Sequence, residues 1–434
     1  MAMPTQKSSA VKNARVRRPE RHQIKMEFSS LDQMLSSDDP ARIVWLFVKG
    51  LDLTPLYENI QVTYDTPGRD ASMPEVLVAL WLQATLDSIG SARELERRCG
   101  RDTRYRWICG DEPINHHTLS DFRVQNGEFL ERLLVDTVTS LMDLDLVPLE
   151  TIAQDGMKVR ASAGSSSFRR KPSLEELQQQ AQDHVDRLRQ EGENEASGQD
   201  GEKRRQAAQE RAARERQARI DEALKQHQQL SEQREKRQKG DGVKTRCSTT
   251  DPDARKMKMA NGGFDPAYNI QFASDADARV IVGVEATNAG TDGNELPPML
   301  DKLRSDYDRT PKQALVDSAF ATKESVTRAE SSGTQVISTV PRAELLRSHG
   351  KDPHARQAKD TDEYADFRAR MAEPEYQDLY KQRPSVAEFP NAFCRNHGLR
   401  QFNVRGLIKV KAVALWHAIA FNFTRMLNLK AWGV

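Results

Sequence analysis

Cysteine is scarce in this chain: Cys99, Cys109, Cys247 and Cys394 are scattered, with no CxxC pair and no histidine at ligand spacing. That pattern argues against a zinc site and for reduced, intracellular thiols rather than a disulfide framework. Apolar residues make up only 37% and aromatics 6%, against 30% charged. A chain so composed does not fill one compact core, and part of it is expected as solvated helix or tail. No apolar run approaches the roughly 18 residues that span a bilayer, and the first residues lack the apolar centre of a signal peptide, so the expected location is the cytoplasm. There is no GxxxxGKS/T loop and no GxGxxG after a strand, so nothing supports nucleotide hydrolysis. The net charge of +1 says nothing about nucleic acid, because it averages basic and acidic blocks.

What is present divides along the chain. The length, 434 residues, allows two or three domains. Residues 1–29 form an arm whose first 25 residues carry Lys7, Lys12, Arg15, Arg17, Arg18, Arg21 and Lys25 against the single acid Glu20, expected to be disordered until it meets a polyanion, or else a solubilising tail. Residues 30–146 read as helical. Pro74-Glu75 opens a run that is apolar almost all round and predicts a buried helix. Ser91-Ala92-Arg93-Glu94 has the form of a capping box, and Thr118-Leu119-Ser120-Asp121 repeats that arrangement. Short capped helices with Arg93, Arg97, Arg98, Arg101, Arg104, Arg106 and Arg123 on or beside them suit a helix-turn-helix-like DNA-binding module, or an ordinary helical domain with a solvated basic face.

Strands follow. Pro148–Ile152 reads as a strand ending in Gln154-Asp155-Gly156; Tyr268–Ala273, Arg279–Thr287, Gln313–Val316 and Gln335–Val340 are further strands, with a helix from Glu295 to Tyr307 and helices after Glu363. Strands followed by alternating helix and strand predict a mixed sheet covered by helices, over 147–172 and 241–434. Residues 173–240 interrupt it with two polar helices around a flexible joint at 191–198, arranged as an antiparallel hairpin. Between Glu202 and Lys239 stand twelve Lys/Arg and seven Asp/Glu. Such a helix can lie along DNA, though most charged helices are simply solvated.

Phosphodiester chemistry with hard divalent cations needs carboxylates that converge about a phosphate. Asp155 stands before Gly156, which permits close backbone approach. Asp317 follows the apolar strand Ala314-Leu315-Val316, and Glu388 lies in a helical, basic stretch. Singly, each has an ordinary reading: a strand-end aspartate caps the next turn, and a helical glutamate is solvated. Asp292, before the Glu295 helix, reads as a helix cap ahead of any role near a site.

A resemblance adds to this. Tyr380-Lys381-Gln382-Arg383, then Val386-Ala387-Glu388, then Gly398-Leu399-Arg400-Gln401-Phe402 with Arg405-Gly406-Leu407, resembles the third catalytic block of bacterial insertion-sequence DDE transposases, those with a Tyr-x-x-Arg…Glu…Lys signature. Ala153-Gln154-Asp155-Gly156-Met157-Lys158 resembles the first block and Ala314-Leu315-Val316-Asp317-Ser318-Ala319-Phe320 the second. Asp251–Lys258 and Tyr268–Ala273 are similar to connecting segments, and Ser91–Glu96, Arg104–Trp107 and Thr118–Arg123 to the helical N-terminal domain. Where the family has lysine seven positions after the glutamate, Arg395 stands, keeping the charge as a planar fork. Pro390, two residues after the glutamate, fits a helix only in its first turn.

The resemblance implies an RNase H-like, five-stranded mixed sheet with flanking helices, an all-helical N-terminal DNA-binding domain and a helical insertion. It implies that Asp155, Asp317 and Glu388 bind two Mg²⁺, with Mn²⁺ able to substitute, and that Tyr380, Arg383 and Arg395 contact the DNA backbone. Arg123 is placed with the DNA-binding residues of the N-terminal domain. The implied partners are double-stranded DNA (terminal inverted repeats and target) and a second copy of the chain on that DNA, with no membrane and no nucleotide cofactor, at the bacterial nucleoid. Two other readings stand beside it: a stand-alone metal-dependent nuclease, and a catalytically inactive descendant that regulates by binding DNA.

Overall fold

The computed structural model describes residues 28–62, 70–194 and 200–429. The basic arm, except for its last two residues, and the centre of the hairpin joint lie outside them.

The helical N-terminal part forms where the sequence places it. Pro74 occupies the first turn of the helix Pro74–Leu86, where its missing N–H costs nothing, and Glu75 stands at the positive end of the dipole. Being apolar all round, this helix is enclosed: Leu77 through Thr85 are all buried, and Trp81 donates its indole N–H to the Leu119 carbonyl at 2.9 Å. Truncating so large a buried side chain costs about 3–5 kcal/mol. Ser91 caps the helix Ala92–Cys99 by accepting from the Glu94 N–H. The second expected cap is displaced. The helix runs His116–Gln125, and Asn115 caps it by accepting from His117 and Thr118 N–H groups, each at 2.9 Å. Asn115 is as good a cap as Thr118, and it comes first.

Among the described residues eight strands come next: β1 (Thr151–Arg160), β2 (Phe168–Arg169), β3 (Cys247–Ser248), β4 (Arg255–Lys258), β5 (Phe264–Asp275), β6 (Ile281–Thr287), β7 (Gln313–Leu315) and β8 (Gln335–Ile337). Six of them make the main sheet, in the order β4-β5-β1-β7-β8, with β6 also paired to β5. The five-stranded expectation missed β4, whose Arg-Lys-Met-Lys has no apolar alternation to announce it. β1 runs antiparallel to β5 and parallel to β7, and β7 parallel to β8. This mixed sheet with flanking helices and a helical N-terminal stretch is consistent with an RNase H-like fold.

The helix Leu407–Asn428 joins the two regions. It packs on β6, on the helix Gly127–Asp143 and on Pro74–Leu86, so N-terminal helices and sheet share one continuous core. Asn422 locks it to the sheet edge, accepting from Ile281 N–H at 2.8 Å and donating to Ile281 O at 2.7 Å. By length and composition this helix could cross a bilayer, which corrects the expectation that no stretch approaches that length; 72% of its most apolar window is buried in the protein.

The insertion is a hairpin of Lys171–Asn194 and Asp200–Arg237. The pairs Gln178–Asp221 and Gln182–Gln217 set the helices antiparallel. Leu174, Ala223 and Cys247 make its small core, and the ribbon of β2 and β3 closes its base.

Candidate active site

β1 does not end before Asp155. It continues to Arg160 because β5 pairs with it throughout, Asp155 opposite Phe272 and Gly156 opposite Gln271. On the other side the ladder to β7 is short, ending with Ala153 opposite Leu315. β7 ends there, and Asp317 follows two residues beyond it, near enough for its charge to act on the Asp155 carboxyl. The pair therefore stands where β7 turns away and the edge of β1 opens.

Asp155 is largely enclosed. Burial pushes its carboxyl up to about 6; the Arg383 guanidinium opposes this, while the charges of Asp317 and Asp292 add to the rise. Arg383, itself buried, donates to Asp155 Oδ1 at 3.0 Å, and Asn391 donates its Nδ2 to Asp155 Oδ2 at 2.8 Å. Asn391 is 2% exposed, and its Oδ1, like Arg383 Nε, has no hydrogen-bond partner among the described residues. A buried amide oxygen without a partner is costly, and beside a carboxylate it is a ready ligand for a cation. Asp317 is half-exposed; its Oδ1 accepts from the Ala319 N–H at 2.7 Å, the turn-capping arrangement of a strand-end aspartate.

Glu388 closes a π-helical turn, Pro384–Glu388, and leads into the helix Phe389–Asn396. Pro390 falls in that helix's first turn, where proline is tolerated. The turn packs against β1 and β5, but Glu388 itself is exposed, and it is Asn391 that reaches Asp155. The wider winding of a π turn shifts the phase of the helix beyond it, the local reason why the residue three places on takes the inner position. Among the described residues no three His, Cys, Asp or Glu side chains are grouped to hold a metal ion. The structure thus draws Asp155, Arg383 and Asn391 together, brings the Asp317 charge near Asp155, and leaves Glu388 exposed.

Tyr380 lines a cleft of about 630 Å³ beside the pair, with Ser318, Arg342, Arg347, His354 and Lys381. Arg395 is exposed one turn beyond Asn391. Arg123 corrects the expectation that placed it on DNA: it is buried, lies over the Trp81 ring at 4.8 Å and donates to the Gly90 carbonyl. A guanidinium so enclosed faces the core, not a phosphate.

Asp292 corrects a second expectation. The helix Leu296–Tyr307 has no side-chain cap, and the Asp292 carboxylate turns to the sheet instead, where Oδ1 accepts from Asn269 at 2.6 Å and Gln271 at 2.7 Å. Gln154 donates to Gln271 Oε1 at 3.0 Å, and Gln154, Asn269 and Gln271 are all fully buried. Asn391 and this polar group are what sequence reasoning missed. A signal for the latter was present: Asn269 and Gln271 alternate with apolar residues inside an otherwise apolar strand, which puts two amides on one buried face.

Two family models match the chain. One, described as "Transposase domain (DUF772)", covers residues 29–125; the other, "Transposase DDE domain", covers 347–427. Together they support a transposase family identity; Asp155 and Asp317 lie between the matched segments, whereas Tyr380, Arg383, Glu388 and Arg395 lie inside the second. Neither a curated protein nor a solved structure matches the chain.

Proposed function

With a transposase identity supported at both ends of the chain, we propose that it cuts DNA at the ends of an insertion sequence and joins the freed 3′-hydroxyl to target DNA, using Asp155, Asp317 and Glu388 as its carboxylates. The reading rests chiefly on one observation: Asp155 on β1 and Asp317, just past the end of the parallel neighbour β7, are remote in sequence yet close enough for the charge of one to act on the other.

The donor set fits a hard divalent cation, Mg²⁺ or Mn²⁺. Two carboxylates and the unpartnered Asn391 Oδ1 are oxygen ligands of the kind such ions take. When bound, the ions supply charge neutralisation on phosphate oxygens and activation of the attacking hydroxyl. The chain's own groups do the rest. Arg383 holds the Asp155 carboxylate in place and neutralises it; once that carboxylate has a stronger counter-charge, the guanidinium is free to take a DNA phosphate. Tyr380 and the basic cleft beside Asp317 receive the strand, and Arg395 adds a backbone contact. Glu388 sits on a turn seated against β1 and β5, and the reading requires that turn to move on DNA so that Glu388 joins the pair. Phosphate contacts are blind to sequence, so the N-terminal helices recognise the element ends. Pairing two ends calls for a dimer on DNA.

A second reading, a regulator that binds DNA without cutting, is favoured by the exposed position of Glu388 and by Arg395 in place of lysine. Strand-transfer assays on duplexes carrying the inverted repeats that flank the coding region separate the readings. Cation-dependent joining that is abolished by Asp155→Ala, Asp317→Ala and Glu388→Ala supports the transposase. Cutting without joined product indicates a nuclease. Specific binding unaffected by Asp155→Ala, with no nicking in Mg²⁺ or Mn²⁺, indicates the regulator.

A further inference from the structure

Arg123 and His417 meet at a crevice of about 40 Å³ where the N-terminal helices join the rest of the protein. Four segments wall it: Pro74–Leu86 through Trp81 and Thr85, His116–Gln125 through Arg123, the stretch 397–403 beyond Asn391, and Leu407–Asn428 through Trp416 and His417. The Arg123 guanidinium stands at the crevice itself, because it lies over the Trp81 ring and donates to the Gly90 carbonyl, and both of those residues are part of the wall.

This guanidinium is 8% exposed and carries five N–H donors, yet its one hydrogen bond among the described residues goes to a neutral carbonyl. No aspartate or glutamate lines the crevice, and burial lowers the Arg123 guanidinium to about 10 with no carboxylate acting against it. His417 is equally enclosed, and its Nδ1 has no partner among the described residues. Other donors of the wall are already committed: the Trp81 indole to the Leu119 carbonyl, the Thr85 hydroxyl to the Trp81 carbonyl and the Trp416 indole to the Arg123 carbonyl.

A buried charge without a counter-charge is among the costliest arrangements a fold can hold. Water in the crevice would solvate the guanidinium without neutralising it, whereas an anion does both. The space bounds the choice. A water-sized particle needs about 10–15 Å³ of such volume, so a single small ion fits, and a phosphate or sulfate does not.

We propose that this crevice binds one monovalent anion of the size of chloride, held by the Arg123 guanidinium with the His417 imidazole beside it. The ion supplies the counter-charge that the chain itself does not, and the Nδ1–H tautomer of His417 donates to it. Seated among four segments, it ties the N-terminal helices to the stretch that follows Asn391 and to the helix Leu407–Asn428.

The test is a halide series on the full-length protein without DNA, at pH 7.5 and constant ionic strength. Replacing gluconate, too large to enter, by chloride or bromide is expected to raise the melting temperature by about 1–3 °C, saturating as the site fills. Arg123→Gln, which keeps amide donors and removes the charge, should abolish that halide dependence. Crystals of the unmutated protein grown in bromide should show an anomalous peak in the crevice within hydrogen-bond distance of the Arg123 guanidinium, a measurement that carries the test should Arg123→Gln fail to fold. Equal melting temperatures in chloride and gluconate, a halide effect that persists in a folded Arg123→Gln, or water alone in the crevice of the bromide crystals overturns the inference.

Discussion

Arg383 donates to Asp155 Oδ1 across 3.0 Å, tying the middle of β1 to the segment that carries Glu388. Both side chains are largely enclosed, so the contact is a partly desolvated ion pair rather than a surface one. In the cation-free protein it is the main counter-charge to a carboxylate that burial makes reluctant to ionise. Asn391 satisfies the other oxygen. The pair therefore acts as a holding state for the site, and its removal has consequences that depend on pH.

Arg383→Ala leaves Asp155 buried without its partner. Stability in EDTA at pH 7.5 is expected to fall by roughly 3 kcal/mol, the cost of breaking a buried pair on one side. Much of that loss should vanish near pH 5, where Asp155 is protonated. Urea unfolding at the two pH values checks this; an equal loss at both would show that packing, not charge, is at stake.

The raised Asp155 carboxyl also sets the pH window for cation binding. Between about pH 4 and 6 the folded protein retains a proton that the unfolded chain has released, so this group favours the fold at low pH and loses that contribution as pH rises through about 6. A divalent cation needs the ionised form. Its affinity should therefore climb about tenfold per unit up to pH 6 and level above it. Thermal shifts with Mn²⁺ across pH 4.5–8 would reveal the break, and a pH-independent affinity would contradict it.

Arg123→Ala tests placement rather than charge. With its guanidinium over Trp81 and its carbonyl accepting from the Trp416 indole at 3.2 Å, Arg123 holds the N-terminal helices to Leu407–Asn428. The variant should lose about 2–4 kcal/mol of stability through lost packing, without altering the salt dependence of DNA binding. Arg395→Ala should do the reverse, reducing the salt slope by about one with little effect on melting. Salt titrations of DNA affinity, set beside melting curves, distinguish the two.

His417 gives the fold an acid sensitivity. Full burial, with the nearby Arg123 and His397 charges, holds its imidazole down to about 3. The unfolded chain takes up a proton near pH 6.5 that the folded protein refuses. This contribution is therefore complete above that pH and is lost as pH falls, by roughly 1.4 kcal/mol per unit. His417→Leu should flatten the decline in denaturation midpoint between pH 7.5 and 5; an unchanged decline would place the sensitivity elsewhere.

Much of the framework is legible from residues alone, because it depends on local pattern. The uniform apolarity of Val76–Leu82 announces a buried helix, Ser91 and Glu94 mark a helix start, and the Gln- and Glu-rich insertion announces a polar hairpin. Legibility fails where two local signals compete or none exists. Asn115 caps ahead of Thr118, β4 lacks alternation, and the polar Gln154-Asp155-Gly156 reads as a strand end but pairs residue for residue with β5.

By itself, the amino-acid order determined the candidate acids, the helical character of the first hundred residues described and the alternation of strand and helix after them, since each depends on neighbours within a few positions. Which acids meet was decided only in three dimensions. The pairing of β1 with β7 brings the Asp317 turn near Asp155, a π turn presents Asn391 where Glu388 was expected, and an absent side chain at Gly156 gives Asp292 its place. Register, helical phase and the space left by a missing Cβ arise from packing between segments far apart in the chain, and no local pattern encodes them.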